Sequence, residues 1–271
     1  MLGKLLKYDF RSMWKQFSVI WPAALILAFL NRFTMFGMDN PGGSAFGEWM
    51  GVISMGLFGG VCFTMVILSA VFVLTRFYKG LLGDEGYIMF TLPASVHQHV
   101  WSKLIVSAVW FIATGVVVFL SVFVAAFNVS FLTDLASVFP KLFQQMTAYY
   151  AVNGTVFALE LLALMLAACM SFSLQFYAAL AAGHSFANHK MALSVAFFFA
   201  FQFVVQMAGA IVLVLLDEGP LHQFLLTLDF QLTGVAAVHF TMVALLLLTV
   251  LYGAIFYIVT TITLKKRLNL E

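Results

Sequence analysis

Residues 76–104 read RFYKGLLGDEGYIMFTLPASVHQHVWSKL and form the long polar interruption in the first half of a very apolar chain. Acidic residues stabilise the N-terminal end of a helix through its dipole. Asp84 and Glu85 therefore predict the first turn of a short helix within this stretch. Turns in the same stretch are predicted at its glycines, which are Gly80, Gly83 and Gly86.

The short helix is predicted to end before Pro93, which lacks an N–H group and disfavours helical backbone at Leu92. Ser95 then predicts the start of a second helix. Its hydroxyl can accept a hydrogen bond from the backbone of Gln98 while the Gln98 side chain reaches back, an arrangement called a capping box. Because a long apolar run follows, we expect this second helix to enter a membrane.

Composition excludes a soluble globular protein. The chain of 271 residues is 63% hydrophobic and only 9% charged, and 31 of its residues are phenylalanine. Its mean hydropathy is +1.05. Soluble domains carry about 25% charged residues. The composition therefore predicts a protein that crosses the membrane several times.

The number of crossings follows from the apolar segments, because a hydrocarbon core of about 30 Å requires about 20 apolar residues per helix. Six segments meet this requirement, at residues 17–33, 51–75, 104–127, 156–182, 191–216 and 238–264. The predicted fold class is an all-α polytopic membrane protein with one transmembrane domain over residues 1–271. No small-residue cleavage site follows Leu30, so we expect a retained anchor rather than a signal peptide.

The basic residues predict the orientation, because positively charged loops stay in the cytoplasm. With the N-terminus inside, six crossings return the C-terminus to the same side. All but two of the 13 Lys and Arg residues then lie on the cytoplasmic side, the exceptions being Arg32 and Lys141. Charge and the number of crossings therefore agree on cytoplasmic termini.

The stretch at residues 76–104 resembles the cytoplasmic loop between the second and third membrane helices of ABC exporter permeases. The resemblance rests on an acidic pair, Gly86, a short apolar helix, a Leu-Pro pair, a small residue with Ser95, and a Lys-Leu pair before a membrane helix. Tyr87 departs from the family pattern, in which Thr is commoner. The match is close over about thirty residues, and elsewhere rests on hydropathy and the order of elements.

Several expectations follow from this resemblance. It implies a bacterial cell-membrane protein, a separate ABC ATPase subunit that binds ATP and magnesium, and a second copy of the chain as partner. It also implies an N-terminal elbow helix, and a coupling helix that contacts the ATPase. The coupling residues would be Asp84, Glu85, Gly86, Tyr87, Met89, Leu92, Pro93 and Ser95.

Residues 1–16 predict that elbow helix independently. Basic residues recur at intervals of three or four, and apolar residues fall on the other side, as in a helix lying in the membrane interface. Asp9 is the exception, because it lies on the apolar side between Leu5 and Met13. It either reaches the headgroups or pairs locally, or it bonds to the coupling loop or the ATPase.

Polar residues inside the predicted spans are candidates for a translocation path. Glu160 is the one acidic residue in any span, and His239, at a similar depth, is its possible partner. The pair is either structural or a contact for substrate or protons. Gln202 and Gln206 lie one turn apart and should turn away from lipid, either to bond another helix or to line the path.

Other patterns carry less information. Gly56 and Gly60 permit close helix packing, either within the chain or between subunits. Cys62, Cys169 and the nearby histidines lack the spacing of a metal site, so no metal is expected. The chain has no Gly-x-x-x-x-Gly-Lys-Ser/Thr loop, no hydrolase or metalloprotease motif, and no basic patch that suits nucleic acid.

These observations favour a non-catalytic permease subunit of an ABC exporter. A membrane path rich in Phe and Met suits an amphipathic or lipid-like substrate such as a peptide, a drug or a lipid. The alternative is an ion-coupled carrier or a membrane sensor partner that has no ATPase. A membrane enzyme is less favoured, because no catalytic residues are evident.

Overall fold

The computed structural model describes residues 2–38, 45–91, 93–125, 137–138, 140–141, 144–145, 153–186, 188–217 and 235–266. The principal elements of these ranges are helical. They are α1 (Leu2–Met38), α2 (Ala45–Phe77), a π-helical segment (Tyr78–Leu82), α3 (Asp84–Thr91), α4 (Val96–Ala125), α5 (Gly154–Gly183), α6 (Lys190–Asp217) and α7 (Val235–Lys266).

Within the described residues, six helices are long and apolar enough to cross a membrane, namely α1, α2, α4, α5, α6 and α7. They coincide with the six predicted segments. Five extend beyond their predicted bounds at both ends, while α4 begins before residue 104 and ends at Ala125, two residues short of the predicted bound. The prediction of an all-helical, multi-pass membrane protein is thereby confirmed. Large apolar side chains such as Leu57, Phe63 and Phe199 are exposed on these helices, as expected of surfaces that face lipid rather than water.

The N-terminal region differs in one respect from the expected elbow. α1 runs from Leu2 to Met38 as one uninterrupted helix, so the boundary expected at residue 16, between an interfacial helix and the first span, is not seen. The local sequence explains this continuity, because no glycine or proline stands between Gly3 and Pro22 to interrupt the helix.

The chain divides into two compact units. Unit 1 comprises Met1–Arg76 and Trp101–Val138, and unit 2 comprises Phe77–Val100 and Phe139–Glu271. In unit 1, Asp9 meets Lys103, and further along both helices the Phe17 ring stacks on Trp110 at 4.3 Å. From the first contact to the second, the residue numbers increase on both helices, so α1 and α4 run parallel.

In unit 2, α5 packs against α6 and α7. Ser171 of α5 donates a hydrogen bond to the Thr249 carbonyl of α7 at 2.9 Å. A Cβ atom at Gly253 would lie 2.5 Å from Ser171 Oγ, so this glycine allows the two helices to approach closely. Further along, Tyr252 bonds to Gln175, which makes α5 and α7 parallel as well.

These directions agree with a chain that crosses the membrane at each long helix. In such a chain, the first and third crossings run in one direction, and the fourth and sixth share the other. α1 and α4 are the first and third long helices, and α5 and α7 are the fourth and sixth. The parallel pairing within each unit is therefore what six consecutive crossings require.

Candidate functional site

The segment between the second and third long helices, Phe77–Val100, is the first candidate site and is called the connecting segment below. α2 ends at Phe77 and continues into the π-helical segment, a geometry that is frequent at functional sites. Gly83 closes this turn, because its N–H donates to the Tyr78 carbonyl at 2.9 Å. α3 then begins at Asp84, and the Gly86 N–H donates to the Gly83 carbonyl at 2.8 Å.

The predicted short helix and the predicted capping box are both present in the connecting segment. α3 spans Asp84–Thr91, and the next long helix begins at Val96. The Gln98 N–H donates to Ser95 Oγ at 3.4 Å, and the Ser95 N–H donates to Gln98 Oε1 at 3.3 Å. Reciprocal bonds of this kind satisfy backbone donors that the first helical turn leaves without partners.

The predicted coupling residues occupy different environments. Met89 is 8% exposed, and Gly86 is buried beside it in the helix. Glu85, Pro93 and Ser95 are exposed. The remaining predicted residues are Asp84 and Tyr87, which contribute backbone to α3, and Leu92, which lies outside the described residues. α3 packs on the π-helical segment, and Met89 is buried in this arrangement while Glu85 is exposed.

The connecting segment is anchored where it begins. Phe77 is fully buried and stacks on Tyr177 of α5 with ring centroids 3.8 Å apart and planes 6° apart. The next residue, Tyr78, meets the His184 ring edge-on at 5.2 Å. Desolvation lowers the pKa of His184 below its ordinary value, and the charge on Lys190 acts in the same direction, while a hydrogen bond to the Leu180 carbonyl opposes them.

A second anchor lies near the end of the connecting segment. His97 Nδ1 is 2.6 Å from the hydroxyl of Tyr257, and His97 Nε2 is 2.9 Å from Lys265 Nζ. Because a lysine ammonium group can only donate, the Nε2 atom accepts, and Nδ1 therefore carries the ring proton and donates to the tyrosine oxygen. These bonds join the first turn of α4 to the last turns of α7.

Asp9 forms the principal charged cluster of unit 1. Its side chain is 1% exposed, and its Oδ1 atom accepts hydrogen bonds from Lys103 Nζ and, at 3.1 Å, from Arg76 Nε. Its Oδ2 atom accepts from Ser102 Oγ at 2.9 Å. Of the two readings of Asp9, the structure favours a bond to the 76–104 stretch, because all three partners lie at the two ends of that stretch.

The predicted partner of Glu160 is confirmed. His239 Nδ1 lies 2.8 Å from Glu160 Oε2 and 2.9 Å from Oε1, so the imidazole N–H is shared between both carboxylate oxygens. Glu160 lies six residues into α5, and His239 lies four residues into α7. The pair therefore joins the second turns of two parallel helices, about 6–9 Å from their N-terminal ends at 1.5 Å per residue.

The two glutamines have separate environments. Gln202 of α6 accepts a hydrogen bond from Gln175 Nε2 at 2.8 Å, and Tyr252 of α7 donates to Gln175 Oε1 at 2.7 Å. Gln202 thus bonds another helix, while Gln206 is exposed. Sequence reasoning did not select Gln175. The four-residue spacing of Ser171 and Gln175 in an apolar span was an available signal, because it places two polar side chains on one face.

Gly56 and Gly60 lie on an exposed face of α2. Apart from the neighbouring backbone of α2 itself, no atom of the described chain comes within 4 Å of a Cβ atom built at either glycine. Packing within the chain, one of the two readings of this pair, is therefore not seen among the described residues. An interface with another subunit stays a prediction.

Neither cysteine forms a disulfide, and among the described residues no three His, Cys, Asp or Glu side chains come together to hold a metal ion. Each unit therefore has its own candidate sites. Unit 2 contains the connecting segment with its two anchors and, separately, the Glu160–His239 pair, and unit 1 contains the Asp9 cluster. No family model, curated protein or solved structure matches this chain.

Proposed function

We propose that this chain is the permease subunit of an ABC exporter and moves an amphipathic or lipid-like substrate outward across the bacterial cell membrane. A separate ATPase subunit binds ATP and magnesium and supplies the energy. A second copy of the chain completes the transport path. The chain itself is not an enzyme in this proposal, and both of its termini lie in the cytoplasm.

The observation that carries this proposal is the attachment of the short helix α3. An element that transmits force needs an exposed surface for its partner and rigid connections to the parts that move. Glu85 supplies an exposed acidic position, while Phe77 and His97, on either side of α3, are fastened to α5 and α7. A displacement of α3 by an ATPase is therefore passed to two long helices of unit 2.

The substrate class is inferred from the chemistry of the long helices. α6 presents large exposed apolar side chains, including Phe199, Phe203 and Met207, beside the exposed amide of Gln206. Flexible thioether and aromatic surfaces adapt to many apolar partners. An amphipathic molecule can place its apolar part on such a surface and bond its polar part to the amide.

Purification of the tagged chain from its native membranes tests the proposal directly. We expect an ATPase subunit that carries a Gly-x-x-x-x-Gly-Lys-Ser/Thr loop to co-purify in a defined ratio, and a cysteine at Glu85 to form a cross-link with it. A cysteine at Ser18, an exposed position on α1, is the matched control. Purification of the chain without an ATPase, in mild detergent and in lipid discs, would refute the proposal.

The orientation is tested separately with an impermeant thiol reagent on intact cells, after Cys62 and Cys169 are replaced by serine. Cysteines at Asn40 and Asp229, which lie outside the described residues, should react from the outside. A cysteine at Gly83 should react only after the membrane is opened. Labelling of position 83 in intact cells would place this loop outside the cell and contradict the proposed topology.

The Glu160–His239 pair favours a second candidate, an ion-coupled carrier. A carboxylate bonded to an imidazole inside a membrane can exchange protons with a transport path. In that case transport by the reconstituted chain alone should follow an imposed pH gradient, and Glu160→Gln should abolish it. Under the exporter proposal the chain alone is inactive, with or without the gradient.

A further inference from the structure

A cavity of about 560 Å³ opens between α1 and α4 within unit 1. This volume lies within the range of about 300–1,000 Å³ that is usual for small-molecule sites. Its walls are mainly aromatic, and two basic side chains stand at its rim. The residues that decide its chemistry are Lys7, Phe10, Arg11, Trp14, Trp21 and Trp110.

The basic and aromatic lining residues are spread along α1. Lys7 and Trp21 are 14 residues apart, which corresponds to about 21 Å along a helix. Lys7 and Arg11 are exposed, whereas the ring of Trp21 lies 5.2 Å from that of Trp110. A ligand with an anionic group and an apolar chain complements both sets of side chains.

The positive charge of the rim is not neutralised by the protein. Asp9 is the one acidic residue among residues 1–32, and its carboxylate is occupied by Arg76, Ser102 and Lys103. Neither Lys7 nor Arg11 forms an ion pair within the part of the chain that the structure describes. Two adjacent cations one helical turn apart thus remain available to an anion.

The wall of the cavity is apolar. Trp110 is 3% exposed, and the Nε1 atoms of Trp110 and Trp21 are buried away from the cavity surface, without a hydrogen-bond partner within the described residues. Trp14, by contrast, is 60% exposed. The wall therefore presents apolar ring surface that suits an acyl chain, and the two basic side chains at the rim are the groups that can bind an anion.

We propose that this cavity binds one anionic phospholipid, with its phosphate on Lys7 and Arg11 and an acyl chain along Trp14 and Trp110. In the orientation proposed above, the lipid comes from the inner leaflet. The site does not depend on the proposed function, because it requires neither an ATPase nor transport.

The test uses the purified full-length chain in detergent, titrated with phosphatidylglycerol or phosphatidylcholine, and native mass spectrometry to count bound lipids. We expect one phosphatidylglycerol to bind more tightly than phosphatidylcholine. Each basic residue near a membrane surface contributes about a fivefold factor in affinity, so Lys7→Ala/Arg11→Ala should lower the affinity for phosphatidylglycerol roughly 30-fold. The affinity for phosphatidylcholine should change little.

The matched control is Lys4→Ala/Lys15→Ala, which removes two exposed charges from the same helix outside the cavity. It should leave the affinity within about threefold, a smaller change than the fivefold factor expected for one charge. Trp14→Ala removes an exposed ring from the wall of the cavity and should weaken the binding of both lipids about fivefold. Raising the salt concentration should weaken the binding of phosphatidylglycerol to the unaltered chain.

Four results would overturn the proposal: equal affinity for the two lipids, an equal loss in the control variant, salt-independent binding, or unchanged binding by a folded Trp14→Ala protein. The first would indicate an apolar groove that takes any acyl chain. The second would indicate a diffuse attraction to the whole basic face of α1. The third would show that charge does not contribute to binding, and the fourth would place the lipid elsewhere.

Discussion

Asp9 of α1 and Lys103 of α4, separated by 94 positions in the chain, form a buried ion pair in unit 1. The carboxylate also accepts hydrogen bonds from Arg76 and Ser102, so one acidic side chain has three donors as partners. Such a cluster is stable only because its members are all paired, since an isolated charge in a low-dielectric interior is strongly disfavoured. It joins the N-terminal helix to both flanks of the connecting segment.

Asp9→Asn should therefore destabilise the protein by about 3–5 kcal/mol, because it leaves two buried cations without their carboxylate. Thermal unfolding of the purified protein in detergent measures the effect as a fall in the transition temperature. Lys15→Gln is the control, since Lys15 is an exposed charge on the same helix and should change stability by less than about 0.5 kcal/mol. Equal effects of the two substitutions would contradict a buried cluster.

The Glu160–His239 pair makes a distinct prediction about coupling. Glu160→Leu and His239→Leu should each lower the unfolding temperature, because each leaves a polar partner without its bond. The double variant should be more stable than the sum of the two losses predicts, with a coupling energy of about 0.5–3 kcal/mol. Strictly additive losses would mean that the two side chains do not interact in the membrane.

A substitution that keeps the hydrogen bond distinguishes a structural role of this pair from a role in transport. Glu160→Gln retains an oxygen that accepts the imidazole N–H of His239, and should leave the unfolding temperature close to that of the unaltered chain. If the pair contacts substrate or protons, the same substitution should reduce transport. Unchanged transport by the stable variant would assign the pair a structural role.

The connecting segment should tolerate loss of its cap better than loss of its helix. Met89→Pro removes a backbone donor within α3 and costs about 3 kcal/mol or more in helix stability, whereas Ser95→Ala costs roughly 1 kcal/mol. The long helices should survive both changes. Under the exporter proposal, Met89→Pro should detach the ATPase, and Ser95→Ala should do so only in part.

Two substitutions of Glu85, which is exposed near the start of α3, test the contribution of its charge to ATPase binding. Glu85→Lys should weaken ATPase co-purification more than Glu85→Gln if Glu85 meets a basic groove on the partner, because a like charge repels as well as removing an attraction. Full co-purification and normal transport by Met89→Pro would reduce the connecting segment to an ordinary loop and remove the main support for the exporter proposal.

His184 predicts how stability responds to acid. Its pKa is lowered by desolvation, so the unfolded chain binds a proton more readily than the folded chain does. This contribution to stability is present above the ordinary pKa of about 6.5 and is lost as the pH falls below it. Unfolding temperatures measured between about pH 5 and pH 8 should decline on the acid side.

A neutral amide at position 184 tests the source of this decline. His184→Gln cannot take up a proton, so its unfolding temperature should vary less over the same range. The control is His189→Asn, because His189 is exposed and has a φ of 56°, a conformation that asparagine tolerates. The control variant should keep the acid response of the unaltered chain. If His189→Asn lost this response, His189 and not His184 would be its source.

Local features of the sequence predicted most of the secondary structure. Apolar run lengths predicted six spans, and the acidic pair with Pro93 predicted a short helix where α3 is found. Ser95 and Gln98 predicted their own capping box. These predictions depend on neighbours within four residues or on burial in a membrane. Residue spacing reveals the former, and composition reveals the latter. The elbow boundary was less predictable, because nothing in residues 4–21 breaks a helix.

Contacts between distant residues were decided by tertiary structure. Similar depth and charge indicated that Glu160 and His239 would pair, but the same reasoning left the partners of Asp9 open and did not select Gln175. The stacking of Phe77 on Tyr177 has no signal in a chain with 31 phenylalanines. Local sequence determines which residues are helical and apolar, whereas the rotation and pairing of helices depend on side-chain packing over the whole unit.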